Sequence, residues 1–275
     1  MSTHHFHDDH SGPLANGNLI RFDELGAQLG MDAEGRHVLV DGTEGSIIDE
    51  VTRIVDHQWS SDVRYGLVKG FFLSGPPGVG KTTLAKRLAY ELGKTRRNDG
   101  RSSVLLALVD GGEIARSRYG ESEARIRDIF SHARTGFASA DERTVLLFDD
   151  VESILMTRGS TTAKEWHFSQ DSVFFHAVDE LDTRRTIVVL TTNRADLVDD
   201  AIRDRFLEYR IDYPAEATLL AIASNLAKQQ AFSSEHTEQL LATVRAGHAA
   251  GTVRSIRDVQ GAVMQFFVRV VTRRS

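Results

Sequence analysis

The chain has no cysteine among its 275 residues. That excludes disulfides and thiolate metal sites, and it fits a reducing compartment. A basic surplus is also missing: 33 Lys and Arg face 39 Asp and Glu, for a formal net charge of -6. Dedicated nucleic-acid binders usually carry the opposite balance, because their lysines and arginines release counterions from phosphate. The opening residues, MSTHHFHDDH, have neither a basic start nor an apolar stretch of the kind that directs export. No apolar run approaches the length needed to cross a bilayer. These absences predict a soluble, cytoplasmic protein with no membrane partner and no nucleic-acid partner.

What is present is an ordinary globular composition, 41% hydrophobic and 26% charged, enough for a substantial core in one large domain or two unequal ones. Residues 1–46 read as a short N-terminal extension, partly disordered. It holds a His- and Asp-rich tip, the piece NLIRFDELGAQL, a candidate strand RHVLV and the turn-rich DGTEGS. His4, His5, His7 and His10 have metal-ligand chemistry, but no carboxylate or histidine elsewhere is positioned by sequence to close such a site, and the tip reads as a solvated terminus.

Residues 47–214 alternate short apolar runs with helical periodicity. Strands are expected at Lys69 to Leu73, Ser103 to Val109, Thr144 to Asp149, Thr186 to Thr191 and Leu207 to Ile211, with helices at Thr82 to Leu92, Glu123 to Ala133 and Gln170 to Leu181. Strands that are continuously apolar rather than alternating, and separated by helices, predict a parallel sheet covered on both faces, an α/β fold. From residue 215 to 275 the strand signals stop. Leu219, Ile222, Ala223, Leu226 and Ala227, then Ile256, Val259, Val263, Phe266, Phe267 and Val270, recur at helical spacing and predict a small all-helical domain. There is no internal repeat.

The stretch FFLSGPPGVGKTTLAKRLAYELG places Gly75, Pro76, Pro77, Gly78, Val79, Gly80, Lys81, Thr82 and Thr83 between a strand and a helix, at the spacing of a phosphate loop. Glycines let backbone N–H groups turn inward around a β-phosphate, and the helix that follows presents its positive end. Lys81 is placed to neutralise β- and γ-oxygens, and the Thr82 hydroxyl to hold Mg²⁺. A nucleoside triphosphate with magnesium is the expected ligand.

Pro76-Pro77 inside that loop, the acidic strand end VLLFDDVES and the motifs after it resemble the AAA+ ATPases from about Ile47 to Ser275. The resemblance implies a P-loop sheet with a helical lid, and ATP with Mg²⁺ as cofactors. It gives Asp149 the magnesium role and Asp150 the place where the family has a Glu that polarises the attacking water. Aspartate is shorter by roughly 1.5 Å, so slow hydrolysis is one expectation and a protein that binds ATP but hydrolyses poorly is another. Glu152 is the rival base, read instead as a structural carboxylate at a helix start. Asn193, at the end of TIVVLTTN, matches the residue that positions water against the γ-phosphate. Arg205, with Arg203 as second choice, matches the arginine sent into a neighbouring subunit's nucleotide. Arg254 matches the arginine that reaches back from the lid, with Arg257 one turn along. In ring-forming members the loop holding Arg118 and Tyr119 grips an extended polypeptide, although here the aromatic stands one step later than usual. TRGSTTAKEWHFSQ, with Lys164, Trp166 and His167, occupies the place of a second pore loop.

Within that family DDVES, DRFLEYRIDYP and GTVRSIRD look like the pachytene-checkpoint, or thyroid-receptor-interactor, branch, in a short bacterial form. This implies a homo-hexamer that converts a HORMA-domain protein from a closed to an open state, and so acts indirectly on a cyclic-oligonucleotide nucleotidyltransferase in antiphage signalling. An ATP-gated scaffold and a DNA-acting loader are the alternatives.

Overall fold

A computed structural model describes residues 18–29, 43–100, 103–115, 121–137, 141–155 and 165–272, the side chains of 43–46 and 165–170 excepted. The histidine-rich tip, the RHVLV segment, Arg118, Tyr119 and Lys164 lie outside the described residues, as do the side chains of Trp166 and His167.

Six described strands form one sheet in the order β1-β3-β4-β5-β2-β6. They are β1 (Leu19–Arg21), β2 (Gly70–Ser74), β3 (Val104–Asp110), β4 (Arg143–Asp149), β5 (Thr186–Thr192) and β6 (Phe206–Arg210). All neighbours are parallel except β1, which pairs antiparallel with β3. The five central and right-hand strands fall where their apolar runs predict, shifted by a residue at some ends. β2 and β5 are buried along their whole length, because helices cover both faces and no side of the pleat meets water.

On one face α1 (Phe22–Leu29), α2 (Thr43–Trp59) and α3 (Lys81–Asn98) build a core around Leu84, Leu88, Phe71 and Leu147. On the other, α5 (Glu121–Thr135) and α6 (Glu165–Asp179) pack Ile126, Ile129, Phe130 and Phe174 against Phe148 and Val188. Phe174 sets its edge against Phe130 and Phe148, at centroid distances of 5.4 and 5.2 Å, the arrangement aromatic quadrupoles prefer. A short α4 (Gly111–Ala115) follows β3. The C-terminal part is a three-helix unit, α7 (Glu216–Gln229), α8 (Ser234–Ala249) and α9 (Ile256–Thr272), with its own core of Leu219, Ile222, Leu240, Val244, Val259, Val263 and Phe266.

The structure draws part of the expected N-terminal extension, residues 1–46, into the large domain. Leu19–Arg21 complete the sheet beside β3, and α1 lies on α3, with Phe22 stacked on Tyr90 at 4.7 Å. A three-residue strand is too short to show a period. α2 begins inside the turn-rich DGTEGS and continues through Ile48, Val51, Val55 and Trp59, all buried at helical spacing.

Because the strands run parallel, the loops after β2, β4 and β5 emerge at one end of the sheet. That is where α/β sheets form their ligand crevices.

Candidate active site

The turn after β2 is shaped by glycine. Gly78 and Gly80 have φ of 79° and 101°, in the left-handed region that side chains avoid, and Gly80 directly precedes the first residue of α3. The first backbone N–H groups of α3 have no partner within the helix and aim into the turn. Val79 is fully buried and anchors the loop to the core, while Pro77 is exposed.

Lys81, the first residue of α3, is buried at 6% exposure. Its ammonium donates to the carbonyls of Gly75 and Pro76 and to Asn193 Oδ1, each at 2.8 Å. Burial pulls its pKa below the ordinary lysine value, against the opposing pull of Asp150, Glu152 and Asp149. Next along, the Thr82 hydroxyl donates to both oxygens of Asp149, at 2.9 and 3.1 Å. Asp149 also accepts from the Thr191 hydroxyl.

Asp150 leaves β4 with φ 52° and ψ 52°. Among non-glycine residues Asp and Asn tolerate this left-handed conformation best, at a cost of roughly 1 kcal/mol; this gives a local reason for aspartate rather than glutamate here. Its carboxylate accepts from Asn193 Nδ2 at 2.7 Å. Burial, then the neighbouring Asp149 and Glu152 charges, raise its pKa above the usual carboxylate value, with Lys81 opposing. Glu152 turns back toward β5 and accepts the Asn193 backbone N–H at 3.2 Å, so it helps place Asn193.

These groups line one cavity of about 240 Å³ with Gly78, Gly80, Lys81, Thr82, Thr83, Asp149, Asp150 and Asn193 on the sheet side and Ile256, Arg257 and Gln260 from the start of α9. The lid is fastened to the phosphate loop itself: the Arg257 backbone N–H donates to the Gly78 carbonyl at 3.2 Å. A Cβ on Gly78 would come within 2.9 Å of both the Arg257 Cβ and the Ser255 hydroxyl oxygen. The structure therefore brings Arg257 to the cavity. Arg254 lies before the first turn of α9, exposed, with its guanidinium folded over Gly251. Its backbone N–H donates to Asp258.

Neither Arg203 nor Arg205 lines this cavity. Arg205 forms a two-pronged pair with Asp179 at 2.9 and 3.1 Å, donates to the Ala201 carbonyl and covers the Phe175 ring at 4.9 Å. Arg203 is half exposed and more loosely held, 3.5 Å from Glu208.

The donor set fits a magnesium nucleotide. A hydroxyl and a carboxylate side by side are hard oxygen ligands suited to Mg²⁺, and glycine N–H groups, a helix start and a lysine converge on the space beside them. Sequence reasoning missed Thr191 and Gly111. Thr191 lies two residues ahead of Asn193 with no motif of its own. Gly111 sits so close to the acidic turn that a Cβ would lie 2.6 Å from the Asp150 carbonyl oxygen.

Residues 71–213, just over half of the chain, match the family described as "ATPase family associated with various cellular activities (AAA)". The chain is 37% identical over 135 residues to an "AAA ATPase forming ring-shaped complexes" of Micrococcus luteus, covering 49% of this chain and 23% of that one. It is 35% identical over 144 residues to a "Proteasome-associated ATPase" of Acidimicrobium ferrooxidans, covering 51% and 25%. The chain thus spans about a quarter of the length of these curated relatives. Its fold matches that in the "Structure of C. elegans PCH-2" with a TM-score of 0.66 at 17% identity, over 96% of this chain and 76% of that one. It also matches a chain of the "Structure of E. coli MS115-1 HORMA:CdnC:Trip13 complex", with a TM-score of 0.60 at 14% identity, over 80% and 87%. A phosphate loop, an acidic strand end and a lid meeting at one cavity, on this fold and with this family match, lead to one assignment: the chain belongs to the AAA family of ATPases.

Proposed function

We propose that this chain binds and hydrolyses ATP with Mg²⁺ as one subunit of a ring, and uses the energy to remodel a protein substrate. The observation that carries the chemistry is the convergence of Lys81, Thr82, Asp149, Asp150 and Asn193 on one cavity closed by the lid. Lys81 exchanges part of its bonding to the loop carbonyls and Asn193 for phosphate oxygens. Thr82 and Asp149 would hold the cation, which would supply positive charge to the polyphosphate. Asp150 takes the proton of the attacking water, and Asn193, freed from Lys81, orients that water. With Asp150 already bonded to Asn193, base and orienting group reach the water as a unit. Arg203 and Arg205 stand away from their own cavity, which fits their supplying positive charge to a neighbouring subunit's site.

Steady-state phosphate release by the parent chain, with and without Mg²⁺, tests the enzymatic reading. Turnover that Asp150→Asn lowers at least tenfold supports it. The left-handed, Asn193-bonded Asp150 also favours a second reading, an ATP-gated scaffold with incidental turnover. A parent no faster than Asp150→Asn would establish that reading in place of the first.

The substrate class we propose is a HORMA-domain protein, converted from closed to open by a homo-hexamer, with a cyclic-oligonucleotide nucleotidyltransferase controlled downstream in antiphage defence. The short motifs DDVES, DRFLEYRIDYP and GTVRSIRD support this, together with a fold shared with a chain of the HORMA:CdnC:Trip13 complex. Tyr119→Ala should abolish conversion of a HORMA substrate while nucleotide binding persists. Undiminished conversion by that variant overturns gripping in a central pore. A loader acting on DNA has less support, given the acidic balance of the chain; salt-dependent DNA binding would revive it.

A further inference from the structure

Thr191 is 1% exposed on β5, its backbone fixed by pairing with Leu73 of β2. Its hydroxyl faces the junction of the two aspartates. It donates its proton to Asp149 Oδ1 and accepts the backbone N–H of Asp150 at 3.3 Å. A hydroxyl carries one proton and two lone pairs, so a single group serves as donor to the first carboxylate and acceptor for the second residue's backbone. The other hydroxyl on Asp149 belongs to Thr82, whose oxygen is also the one suited to a cation. Thr191 has no such second duty. It is built into the sheet, outside the lining of the cavity.

The Asp150 end of this bridge matters equally. Asp150 stands in a left-handed conformation, and its N–H would have to be satisfied elsewhere if the turn opened. Thr191 supplies that acceptor on the main chain, and Asn193 Nδ2 holds the carboxylate 2.7 Å away. The penultimate residue of β5 thus fixes the turn, and the first residue after that strand aims the side chain.

We propose that Thr191 is a positioning residue of the hydrolytic site, whose hydroxyl orients the Asp149 carboxylate toward the metal and clamps the turn that aims Asp150. This rests on the ATPase reading above. A buried hydroxyl with a purely structural role would give a different pattern, so two variants are needed. Thr191→Val keeps the shape and removes the hydroxyl; Thr191→Ser keeps the hydroxyl and removes a methyl.

The experiment measures ATP binding by calorimetry with and without Mg²⁺, and steady-state phosphate release, for the parent and both variants. Losing a hydrogen bond to a charged group predicts, for Thr191→Val, about a ten- to hundredfold loss of the tightening that Mg²⁺ gives to ATP binding and a comparable fall in kcat. ATP binding without Mg²⁺ should stay within about threefold of the parent, since the phosphate loop is untouched. Thr191→Ser should restore most of both losses. A Thr191→Val variant with parental Mg²⁺ tightening, or a Thr191→Ser variant as impaired as Thr191→Val, overturns the proposal. A parent without turnover would sink the enzymatic reading while the Mg²⁺-linked binding still decides the role of Thr191.

Discussion

Gly111 opens α4 directly after β3, and its α-carbon faces the carbonyls of the acidic turn. A methyl added there would lie 2.6 Å from the Asp150 oxygen and 2.9 Å from the Asp149 oxygen. Both obstacles are backbone atoms, so no rotamer change relieves them. In Gly111→Ala the Asp149–Asp150 turn has to retreat from 2.6 Å toward the 3.4 Å of ordinary contact, a shift of about 0.8 Å, and a misplacement near 1 Å costs about a hundredfold in rate. The fold should survive, because Gly111 itself has no left-handed backbone requirement. The expected result is a fall in kcat of about ten- to hundredfold, with ADP affinity in the absence of metal within about twofold of the parent. Phosphate release and calorimetry read the two quantities. Parental kcat in a folded Gly111→Ala protein would refute the claim that the position of this turn sets the rate.

Three further outcomes follow from the same geometry. Arg257→Ala should raise the KM for ATP about tenfold, the worth of one lost charge-assisted contact, whereas Arg254→Ala should leave it within about twofold; the reverse order would make Arg254 the lid arginine, as the sequence resemblance implies. Asp150 has its folded-state pKa raised by burial and by Asp149 and Glu152, so the unfolded chain ionises first and stability drops as pH climbs from the ordinary carboxylate value through the raised one. Asp150→Asn should therefore melt higher than the parent at neutral pH, and the acid limb of the parent's kcat/KM profile should lie above that of an unperturbed carboxylate; a lower melting point would contradict this. Phe174→Ala, which empties the space beside the stacked Phe130–Phe148 pair, should cost about 3 to 5 kcal/mol in denaturant unfolding, and a loss below about 1 kcal/mol would show that this core is not tightly packed.

Sheet and phosphate loop were legible because their signals are local and redundant. Each buried strand is a continuous apolar run, and GPPGVGKTT specifies both its turn and the helix after it. The pairing of Asp150 with Asn193 was foreshadowed by two motifs that each implied a role beside the γ-phosphate. What could not be read depends on register and phase. Thr191 reaches the acidic turn only because β5 lies next to β4, with Leu190 opposite Phe148. Where Arg254 and Arg257 lie needed the starting point of α9, since Arg254 precedes the helix and its direction does not follow from helical periodicity. α2 did leave a signal, the spacing of Ile48, Val51, Val55 and Trp59, but the turn-forming residues around Gly42 and Gly45 obscured where it starts.

The antiparallel strand Leu19–Arg21 has a consequence for solubility. It occupies the flank of β3, whose Leu105, Leu106 and Ala107 would otherwise present free amides and carbonyls along an apolar ribbon, a template for pairing with any other extended chain. Phe22 then bolts this cover to α3, its ring set so near Gly93 that a Cβ there would lie 2.6 Å away. Three residues and one aromatic latch thereby act as a guard against fibre-like stacking, and trimming them would expose the protein to aggregation well before it disturbed the nucleotide cavity.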